Sequence, residues 1–443
     1  MNSRNENDFP KNYAVMPVTG PVDAVVAVPG SKSLTNRALV AAALADGTSL
    51  LTNVLSADDT RRMVGALRSL GIRITWDGAA NRAEVTGCGG LIPVGEARLL
   101  CGNAGTVMRF LAAMAALGEG RYELDGDPRM RERPIGELVQ ALRELGAGVE
   151  FVDQEGFPPL IVHARGLSGG TVSLARTPSS QFISAILLSS PYARSDVMMD
   201  LPQDSPSRPF LRMTTAVMEA FGVGVVAQYG EDIRFIVPAP QRYQAVNLAI
   251  EPDATNATYF WAAAAVAGGR VTVEGLGTDS VQGDVRFVDV LELMGCRVIR
   301  EPRSITVEGP PTGKRLRAVD VDLKDMPDTA PTLAVTALFA AGRTSIRNVG
   351  HLRIKETDRL AALRSELTRL GAAVEERTDG LTIHPPDQLR PATIETYDDH
   401  RMAMSFALAG LKCPGVVIHD PGCCGKTFPG FFARFEGLAR SGA

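Results

Sequence analysis

The sequence has few residues of the kinds that build metal sites and disulfide frameworks. Its 443 residues include only six cysteines and five histidines. No two cysteines form a C-x-x-C pair, and only Cys423 and Cys424 are adjacent, which argues against a zinc site and against a secreted disulfide scaffold. We therefore predict a protein without a metal or another cofactor.

Long apolar runs are also missing. No run approaches the ~20 residues of a membrane-spanning helix. The polar start, MNSRNENDFPKNYAVMPVTG, lacks the apolar core of a signal peptide. These absences predict a cytoplasmic protein that does not enter a membrane.

An excess of charge of one sign is absent as well. Lys and Arg number 46, Asp and Glu number 50, and the formal net charge is -4. Nothing therefore favours bulk binding to nucleic acid or to an anionic membrane, and any basic site must be local. With 45% hydrophobic residues, the chain can bury large cores, and its length alone suggests about three domains.

One pattern recurs along the chain: an amphipathic helix ends at a glycine, and a strand, a turn and a second strand follow. Such a glycine can adopt the left-handed cap conformation, and the two strands are typical of a hairpin. A sixth helix, FFARFEGLA, ends the chain without a hairpin, and we expect the segment VDAVVAVPG to supply the missing strand. The terminating glycines, spaced by 75, 76, 73 and 76 residues, are Gly71, Gly146, Gly222, Gly295 and Gly371.

Each repeat opens with a small polar loop that leads into an Ala-rich helix, as in PGSKSLTNRALVAAALADG and EPDATNATYFWAAAAVAGG. The loops are rich in N-capping residues, and helices that are apolar on nearly every face are buried. Six such helices suggest two domains of three repeats each, with crossings near Gly30 and Glu251. The predicted domains are residues 31–251, and residues 1–30 together with 252–443. We expect the ligand to bind in the cleft between them.

Basic residues gather near these loops. Any one of them could be a surface charge with a buried aliphatic stem. Together they indicate a site for several carboxylate or phosphate groups, in which Arg acts as a fork and Lys as a point charge. The eight cations are Lys32, Arg37, Arg109, Arg133, Lys355, Arg359, Arg401 and Lys426.

The same loops contain carboxylates, among them Asp328 and Glu356. Asp328 is either an N-cap or a functional acid. Glu356 either neutralises Lys355 and Arg359 or takes part in proton transfer. The stretch RIKETDRL, residues 353–360, places cations at a predicted helix N-terminus, where they oppose the helix dipole. We therefore expect this helix entrance to be electrostatically incomplete without a bound anion.

The chain resembles the 5-enolpyruvylshikimate-3-phosphate synthase family from PGSKSLTNR to GKTFPGFF. The motifs PGSKSLTNRAL, GNAGTVMR, RERPIGELV, SSQF, IKETDRL, DDHRMAM and KTFP occur in the family's order and spacing. The resemblance implies an α/β fold of two similar domains, each with three βαβαββ repeats around buried helices in an inside-out α/β barrel. It also implies transfer of the enolpyruvyl group of phosphoenolpyruvate to the 5-hydroxyl of shikimate 3-phosphate by a monomer, with release of phosphate.

The resemblance also implies roles for individual residues. Asp328 and Glu356, assisted by Lys32, are the expected catalytic residues. The expected phosphoenolpyruvate site comprises Lys32, Gly105, Arg133, Gln181, Arg359, Arg401 and Lys426. The expected shikimate 3-phosphate site comprises Lys32, Ser33, Arg37, Ser179, Ser180, Gln181, Ser207, Asp328 and Lys355.

Three positions depart from the family pattern. Phe110 stands where many members have Pro, which bears on tolerance of the inhibitor glyphosate; Phe210 stands where many have Tyr, and His351 where Asn is frequent. Two other functions are alternatives. The related transferase that acts on UDP-N-acetylglucosamine typically has a reactive cysteine, which the loop DPRMRERPIG lacks. A non-catalytic anion-binding descendant would be expected to lose Lys32, Asp328 or Glu356.

Overall fold

The computed structural model describes residues 10–174, 179–202, 205, 207–229, 232–311 and 313–441. The polar start over residues 1–9 lies outside this part of the chain. The α-helices are α1 (Lys32–Leu44), α2 (Asp58–Ser69), α3 (Gly105–Ala115), α4 (Pro128–Arg131), α5 (Gly136–Glu144), α6 (Ser180–Ser189), α7 (Arg208–Ala220), α8 (Ala254–Ala267), α9 (Phe287–Leu293), α10 (Ala330–Thr336), α11 (Arg359–Arg369), α12 (His400–Gly410) and α13 (Phe431–Ser441).

The strands alternate with these helices, so the chain has a mixed α/β fold. They are β1 (Asn12–Ala14), β2 (Val22–Val26), β3 (Thr48–Thr52), β4 (Arg73–Asp77), β5 (Arg82–Thr86), β6 (Glu96–Leu100), β7 (Glu119–Asp125), β8 (Gly148–Phe151), β9 (Leu160–Arg165), β10 (Gly170–Ser173), β11 (Val197–Pro202), β12 (Val226–Tyr229), β13 (Asp232–Val237), β14 (Asn247–Ala249), β15 (Gly269–Glu274), β16 (Arg297–Arg300), β17 (Ser304–Glu308), β18 (Asp320–Asp322), β19 (Thr344–Arg347), β20 (Ala373–Arg377), β21 (Gly380–His384), β22 (Thr393–Ile394) and β23 (Val417–His419).

The chain divides into two compact units. The N-terminal unit is Gly30–Glu251, and the C-terminal unit combines Met1–Pro29 with Pro252–Ala443. Gly30, predicted to belong to the C-terminal domain, is part of the N-terminal unit. Each unit has its own hydrophobic core.

In the part of the chain that the structure describes, each unit contains three sheets; five of the six have four strands in one common order, and the sixth has three strands. In the N-terminal unit the strand orders are β14-β3-β5-β4, β6-β7-β9-β8 and β10-β11-β13-β12. In the C-terminal unit they are β16-β17-β15-β2, β18-β19-β21-β20 and β1-β23-β22. Each sheet has a parallel pair, such as β6 with β7, next to antiparallel strands. Among the described residues no sheet closes on itself, so the barrel implied by the resemblance is not a closed barrel of strands.

The predicted repeats are confirmed. Each of the five terminating glycines has a positive φ, between 82° and 102°, which is the conformation expected of a glycine helix cap. Each is followed by an antiparallel pair of strands, from β4 with β5 to β20 with β21. The local signals of helix period, glycine and turn therefore specify these elements.

The Ala-rich segments form the cores of the units, as predicted. All residues of α3, α8 and α12 are buried. Because alanine side chains are small and apolar, other elements can pack on every face of such a helix. An amphipathic surface helix is covered on its apolar face only. Several entrances are capped as expected, because the side chains of Ser31, Ser179, Asp253 and Asp399 accept backbone N–H bonds at α1, α6, α8 and α12.

The prediction for the missing strand was wrong. Val22–Val26 does not complete the sixth repeat, because β2 pairs in parallel with β15 in the sheet of the fourth repeat. The strand that joins the sixth repeat is β1, which pairs antiparallel with β23. β2 takes the parallel position that β6, β10 and β18 hold in their own sheets, and the shorter NYA segment takes the position left beside β23.

Candidate active site

The central feature of the C-terminal unit is a buried arginine with three carboxylates. Arg359 is 1% exposed. Its Nε donates to Asp399 Oδ2 at 2.7 Å, its Nη2 to Glu356 Oε2 at 2.8 Å, and its Nη1 to Asp328 Oδ1 at 3.2 Å. We call Asp328, Glu356, Arg359, Asp399 and Arg401 the Arg359 cluster. A buried cation with several charge-assisted hydrogen bonds is held in one geometry.

Arg401 belongs to the same cluster through Asp328. Its Nη2 donates to Asp328 Oδ2 at 2.9 Å, and its backbone N–H donates to Asp399 Oδ1 at 2.9 Å, which caps α12. Asp328 therefore bridges the two arginines. Its 3₁₀ turn, Pro327–Thr329, precedes α10 without a side-chain cap on that helix. The N-cap alternative for Asp328 is thus not observed.

The arginines control the ionisation of Asp328. Burial alone would raise the pKa of this carboxyl, but Arg401, Lys355 and Arg359 outweigh burial and hold the pKa well below its usual range. The pKa of Arg359 and that of Arg401 are raised, because the neighbouring carboxylates, led by Asp399 for Arg359 and Asp328 for Arg401, outweigh their desolvation. Asp328, Arg359 and Arg401 are therefore ionised at neutral pH.

The expectation of an electrostatically incomplete helix entrance was wrong. α11 begins at Arg359, so Lys355 lies before the helix. Lys355 and Arg359 are therefore not neighbours on one helix face. The N-cap Asp358 accepts bonds from the N–H groups of Leu360 and Ala361 and also pairs with Arg353 at 2.9 Å. The charges of RIKETDRL thus have partners within the protein, and a bound anion must compete with those partners.

His351 and Lys355 lie on and just after the 3₁₀ turn Gly350–Ile354. Burial, with a smaller contribution from Lys355, lowers the pKa of His351 to about 4, although Asp328 opposes the shift. The imidazole is therefore neutral at pH 7. Its buried Nε2 has no hydrogen-bond partner among the described residues. Many members of the family that the chain resembles have Asn at this position. A neutral imidazole beside Asp328 and Lys355 can form hydrogen bonds in place of that amide.

Lys426 ends the 3₁₀ turn Pro421–Lys426, which packs against α12. The next residue, Thr427, accepts a hydrogen bond on its carbonyl from Asn256 Nδ2 at 3.4 Å. Asn256 lies in the first turn of α8, whose N-cap is Asp253. Lys426 is thereby placed near the entrance of α8.

In the N-terminal unit, Gly105, Arg133 and Gln181 come together. A Cβ on Gly105 would lie 2.6 Å from Arg133 Nη2 and 3.1 Å from Gln181 Oε1. Arg133 is 4% exposed, and its Nη1 donates to Asn103 Oδ1 at 3.0 Å and to the Asn103 carbonyl at 3.1 Å. We call Asn103, Gly105, Arg133 and Gln181 the Arg133 cluster. These residues come from the entrances of α3 and α6 and from the loop after α4.

Gly105→Ala is expected to impair this cluster more than the fold. The added methyl group would displace the Arg133 guanidinium, so we expect the KM for phosphoenolpyruvate, the substrate that the resemblance implies for this cluster, to rise about tenfold or more, equivalent to about 1.4 kcal/mol of binding. Steady-state kinetics would measure this rise. Gly65→Ala in α2, where a Cβ meets nothing within 4 Å, is the matched control. Equal KM values for the two variants would contradict the placement.

Lys32 forms an ion pair that was not predicted. Its Nζ lies 3.2 Å from Asp59 Oδ2, and the two side chains are 13% and 4% exposed. Arg109, by contrast, binds within the fold, because its Nη2 donates to the Pro134 carbonyl at 2.9 Å and its Nη1 contacts Met130 Sδ at 3.1 Å. Arg109 therefore holds α3 to the segment that carries Arg133.

Arg37 is buried among neutral groups. Its Nε donates to Thr214 Oγ1 at 2.8 Å, and its Nη2 to Ser184 Oγ at 3.1 Å. The ring of Phe110 lies 5.3 Å from its Cζ. Burial lowers the pKa of Arg37 to about 9, so the group is still a cation at pH 7, and none of the ion pairs in the described chain includes it. An unbalanced buried cation favours an anionic ligand.

The predicted serines lie at helix entrances near Arg37. Arg37 Nη1 donates to the Ser33 carbonyl at 2.9 Å, and its Nη2 to the Phe210 carbonyl at 3.3 Å. Ser179 and Ser180 begin α6, which also carries Ser184. Ser207 precedes α7 with φ 61°. Arg37 thus ties the first turn of α1 to α6 and α7, the two helices whose entrances carry the other serines.

Three of the residues described above were not predicted as site residues: Asp59, Asn103 and Asp399. Asp399 had one signal, the N-capping position before HRMAM, but a cap does not reveal an arginine partner 40 residues away. In the described residues no group of three or more His, Cys, Asp or Glu side chains is arranged to hold a metal ion. In the same part of the chain no helix is long and apolar enough to cross a membrane.

The fold is that of the enolpyruvyl transferases. The enolpyruvyl transferase NikO from Streptomyces tendae shares the fold with a TM-score of 0.74 at 18% identity, over 96% of each chain. The EPSP synthase from Acinetobacter baumannii has a TM-score of 0.79 at 26% identity, over 96% of this chain and 98% of its own.

Within this class the sequence is more specific. Residues 17–435 match the family described as EPSP synthase (3-phosphoshikimate 1-carboxyvinyltransferase). The chain is 48% identical to the 3-phosphoshikimate 1-carboxyvinyltransferase of Nostoc punctiforme, over 94% of this chain and 96% of that protein. It is also 48% identical to the chloroplastic enzyme of Petunia hybrida, over 96% of this chain and 84% of that protein. The chain belongs to the EPSP synthase family.

Proposed function

We propose that this chain transfers the enolpyruvyl group of phosphoenolpyruvate to the 5-hydroxyl of shikimate 3-phosphate and releases phosphate, as a step of the shikimate pathway. The observation that carries the proposal is the Arg359 cluster. It places two predicted proton-transfer carboxylates, Asp328 and Glu356, in direct contact with two predicted anion-binding arginines. Acids and bases held against a substrate-binding cation are what an addition and elimination at a phosphorylated enol require.

The proposed substrate sites consist of the residues that the family resemblance implies. The Arg133 cluster, Lys32, Arg359, Arg401 and Lys426 bind phosphoenolpyruvate. The shikimate 3-phosphate site comprises Lys32, Ser33, Arg37, Ser179, Ser180, Gln181, Ser207, Asp328 and Lys355. Burial of Arg37 and Arg133 supports this assignment, because cations removed from water attract a fitting anion more strongly than surface cations do.

Asp328 gains basicity when the substrates bind. In the free protein Arg401, Lys355 and Arg359 hold its pKa well below the usual range despite burial, so it is a weak base. A substrate anion that binds to either arginine neutralises part of this positive field and raises the pKa of Asp328. The carboxylate then accepts the proton of the attacking hydroxyl, while Glu356 and Lys32 move the proton at C3 of phosphoenolpyruvate.

Lys32→Met is expected to abolish turnover and to destabilise the fold moderately. The loss leaves Asp59 buried without its lysine, which costs about 1–3 kcal/mol. Denaturant unfolding and steady-state kinetics would separate the two effects. The double variant Lys32→Met with Asp59→Asn should recover stability and remain inactive. Recovery of activity in the double variant would show that Lys32 serves only as the partner of Asp59.

A phosphate-release assay tests the proposed function. Phosphate should appear when both substrates are present and should be absent when shikimate 3-phosphate is left out. UDP-N-acetylglucosamine replaces it in a third reaction, because the related transferase is the nearest alternative. If phosphate were released only when UDP-N-acetylglucosamine accompanies phosphoenolpyruvate, the assignment of the acceptor would be reversed.

We also propose a cytoplasmic, monomeric enzyme that glyphosate inhibits. All six cysteines are free thiols, which is typical of a reducing compartment. Glyphosate resembles an anionic substrate, and its binding would depend on the space between Gly105 and the side chains of Arg133 and Gln181. Size-exclusion chromatography with light scattering would test the monomeric state, and a glyphosate titration of initial rates would test the inhibition.

A further inference from the structure

A further buried carboxyl group, that of Asp284, interacts electrostatically with Asp328 and Arg401 of the Arg359 cluster. Asp284 lies in the 3₁₀ turn Gly283–Arg286, which packs against α8, and is 4% exposed. Its Oδ2 accepts a hydrogen bond from Thr255 Oγ1. Its Oδ1 is buried and has no hydrogen-bond partner among the described residues. A buried carboxylate with an unsatisfied oxygen is costly, whereas a protonated carboxyl leaves less charge unsatisfied.

The position of Asp284 is fixed by the residue that precedes its turn. Gln282 Nε2 donates to the Pro252 carbonyl at 2.7 Å, and Gln282 Oε1 accepts from the Ala254 N–H at 3.1 Å. These bonds tie the turn to the chain just before α8 and to the first residue of that helix. Asp284 therefore cannot move toward water without disturbing the helix entrance.

The groups that act on Asp284 come from three places in the C-terminal unit. α8 and its cap contribute Asp253 and Thr255, the turn before α10 contributes Asp328, and α12 contributes Arg401. On its own turn, Arg286 is directed to Asp325, with 3.7 Å between Nη2 and Oδ2. Asp253, Asp284 and Asp328 all act on Arg401. Three acids therefore share the field of one arginine, which Asp328 already engages directly.

We propose that Asp284 is a positioning residue that carries a proton when Arg401 binds an anionic group of phosphoenolpyruvate. An ionised Asp284 competes with the substrate for the field of Arg401, whereas a neutral Asp284 keeps its bond to Thr255 and does not compete. Binding of the anion is therefore linked to proton uptake by Asp284. The inference rests on the proposed function, because it takes Arg401 as a phosphoenolpyruvate-binding residue.

The ionisation of Asp284 falls in a range that experiments can reach. Burial raises its pKa to about 7, with a further contribution from Asp328. In the folded state this pKa lies above that of the unfolded chain. The stabilising contribution of the protonated group is therefore fully present below about pH 4 and is lost as the pH rises through about 7.

Kinetics of Asp284→Asn tests the link to the substrate, because Asn copies the neutral acid and keeps an acceptor for Thr255. The quantity to measure is the ratio of the wild-type KM for phosphoenolpyruvate to that of the variant, from pH 6 to pH 9. Ionisation of the substrate cancels in this ratio. Above the pKa of Asp284, we expect this ratio to rise by at most about tenfold for each pH unit. Asp325→Asn is the control and should give a constant ratio. A constant ratio for Asp284→Asn would overturn the proposal.

Thermal unfolding without substrates provides a second measurement. Asp284→Asn should melt several degrees above the wild type at pH 8, and the difference should shrink toward pH 5. A difference that does not change with pH would overturn the proposal even in a fully active enzyme. Absence of wild-type turnover would instead refute the proposed function, and the melting comparison would still decide whether Asp284 carries a proton.

Discussion

Glu356→Gln should lower kcat by about 10²–10⁴-fold, the usual contribution of a positioned acid or base. The substitution preserves an oxygen that can accept the bond from Arg359 Nη2, now 2.8 Å long, but removes the group that can carry the proton. The KM values for both substrates should therefore change by only a few-fold. Steady-state kinetics with each substrate varied in turn would measure the split between kcat and KM.

Glu376→Gln is the matched control for Glu356→Gln. Glu376 is a carboxylate of the same unit that also accepts from an arginine, with Arg353 Nη1 at 2.7 Å. Glu376 belongs to β20 and takes no part in the proposed chemistry. The kcat of Glu376→Gln should therefore remain near the wild-type value. A similar fall in both variants would mean that Glu356 acts through stability alone.

Arg359→Ala should lower the free energy of unfolding by about 3–5 kcal/mol, because it leaves buried carboxylates without their shared cation. Asp399 and Glu356 side chains are 0% and 7% exposed, so water cannot replace the arginine. Urea unfolding at pH 7 would measure the loss. Activity should also be absent, since a predicted substrate-binding cation is removed.

Arg364→Ala in the same helix provides the comparison. Arg364 is 60% exposed and lies 3.6 Å from Glu376, so its loss should cost at most about 1 kcal/mol. Equal losses in the two variants would contradict the central position of Arg359. A stable but inactive Arg359→Ala would show that the carboxylates find other partners when the arginine is absent.

The features that could be predicted from the sequence are those with local causes. The glycines that end the repeat helices and the turns between their strands are signals within a few residues. Uninterrupted apolar faces likewise predicted that α8 and α12 are buried. The motifs of the family supplied the candidate residues, and the structure brings Asp328, Glu356, Arg359 and Arg401 into one cluster.

The features that escaped prediction depend on contacts between distant residues. The partners of Arg359 include Asp328 and Asp399, which are 31 and 40 positions away in the chain. Because the sequence does not reveal these partners, the cations at the start of α11 were predicted to need a bound anion. The pairing of β2 with β15 spans more than two hundred residues, as the register Val22↔Gly269 shows. Hydrophobic patterns identify such strands but do not choose their partners.

The addition and elimination at the Arg359 cluster can be tested most directly by isotope exchange. Turnover with phosphoenolpyruvate and shikimate 3-phosphate is carried out in deuterated water, and the product is analysed by mass spectrometry. Addition forms a transient methyl group with one solvent proton, and elimination returns a proton from that group. The vinyl carbon of the product should therefore acquire deuterium, and Glu356→Gln should slow this exchange together with product formation. A wild-type product that keeps all its original hydrogens at that carbon would contradict the mechanism and the role of Glu356.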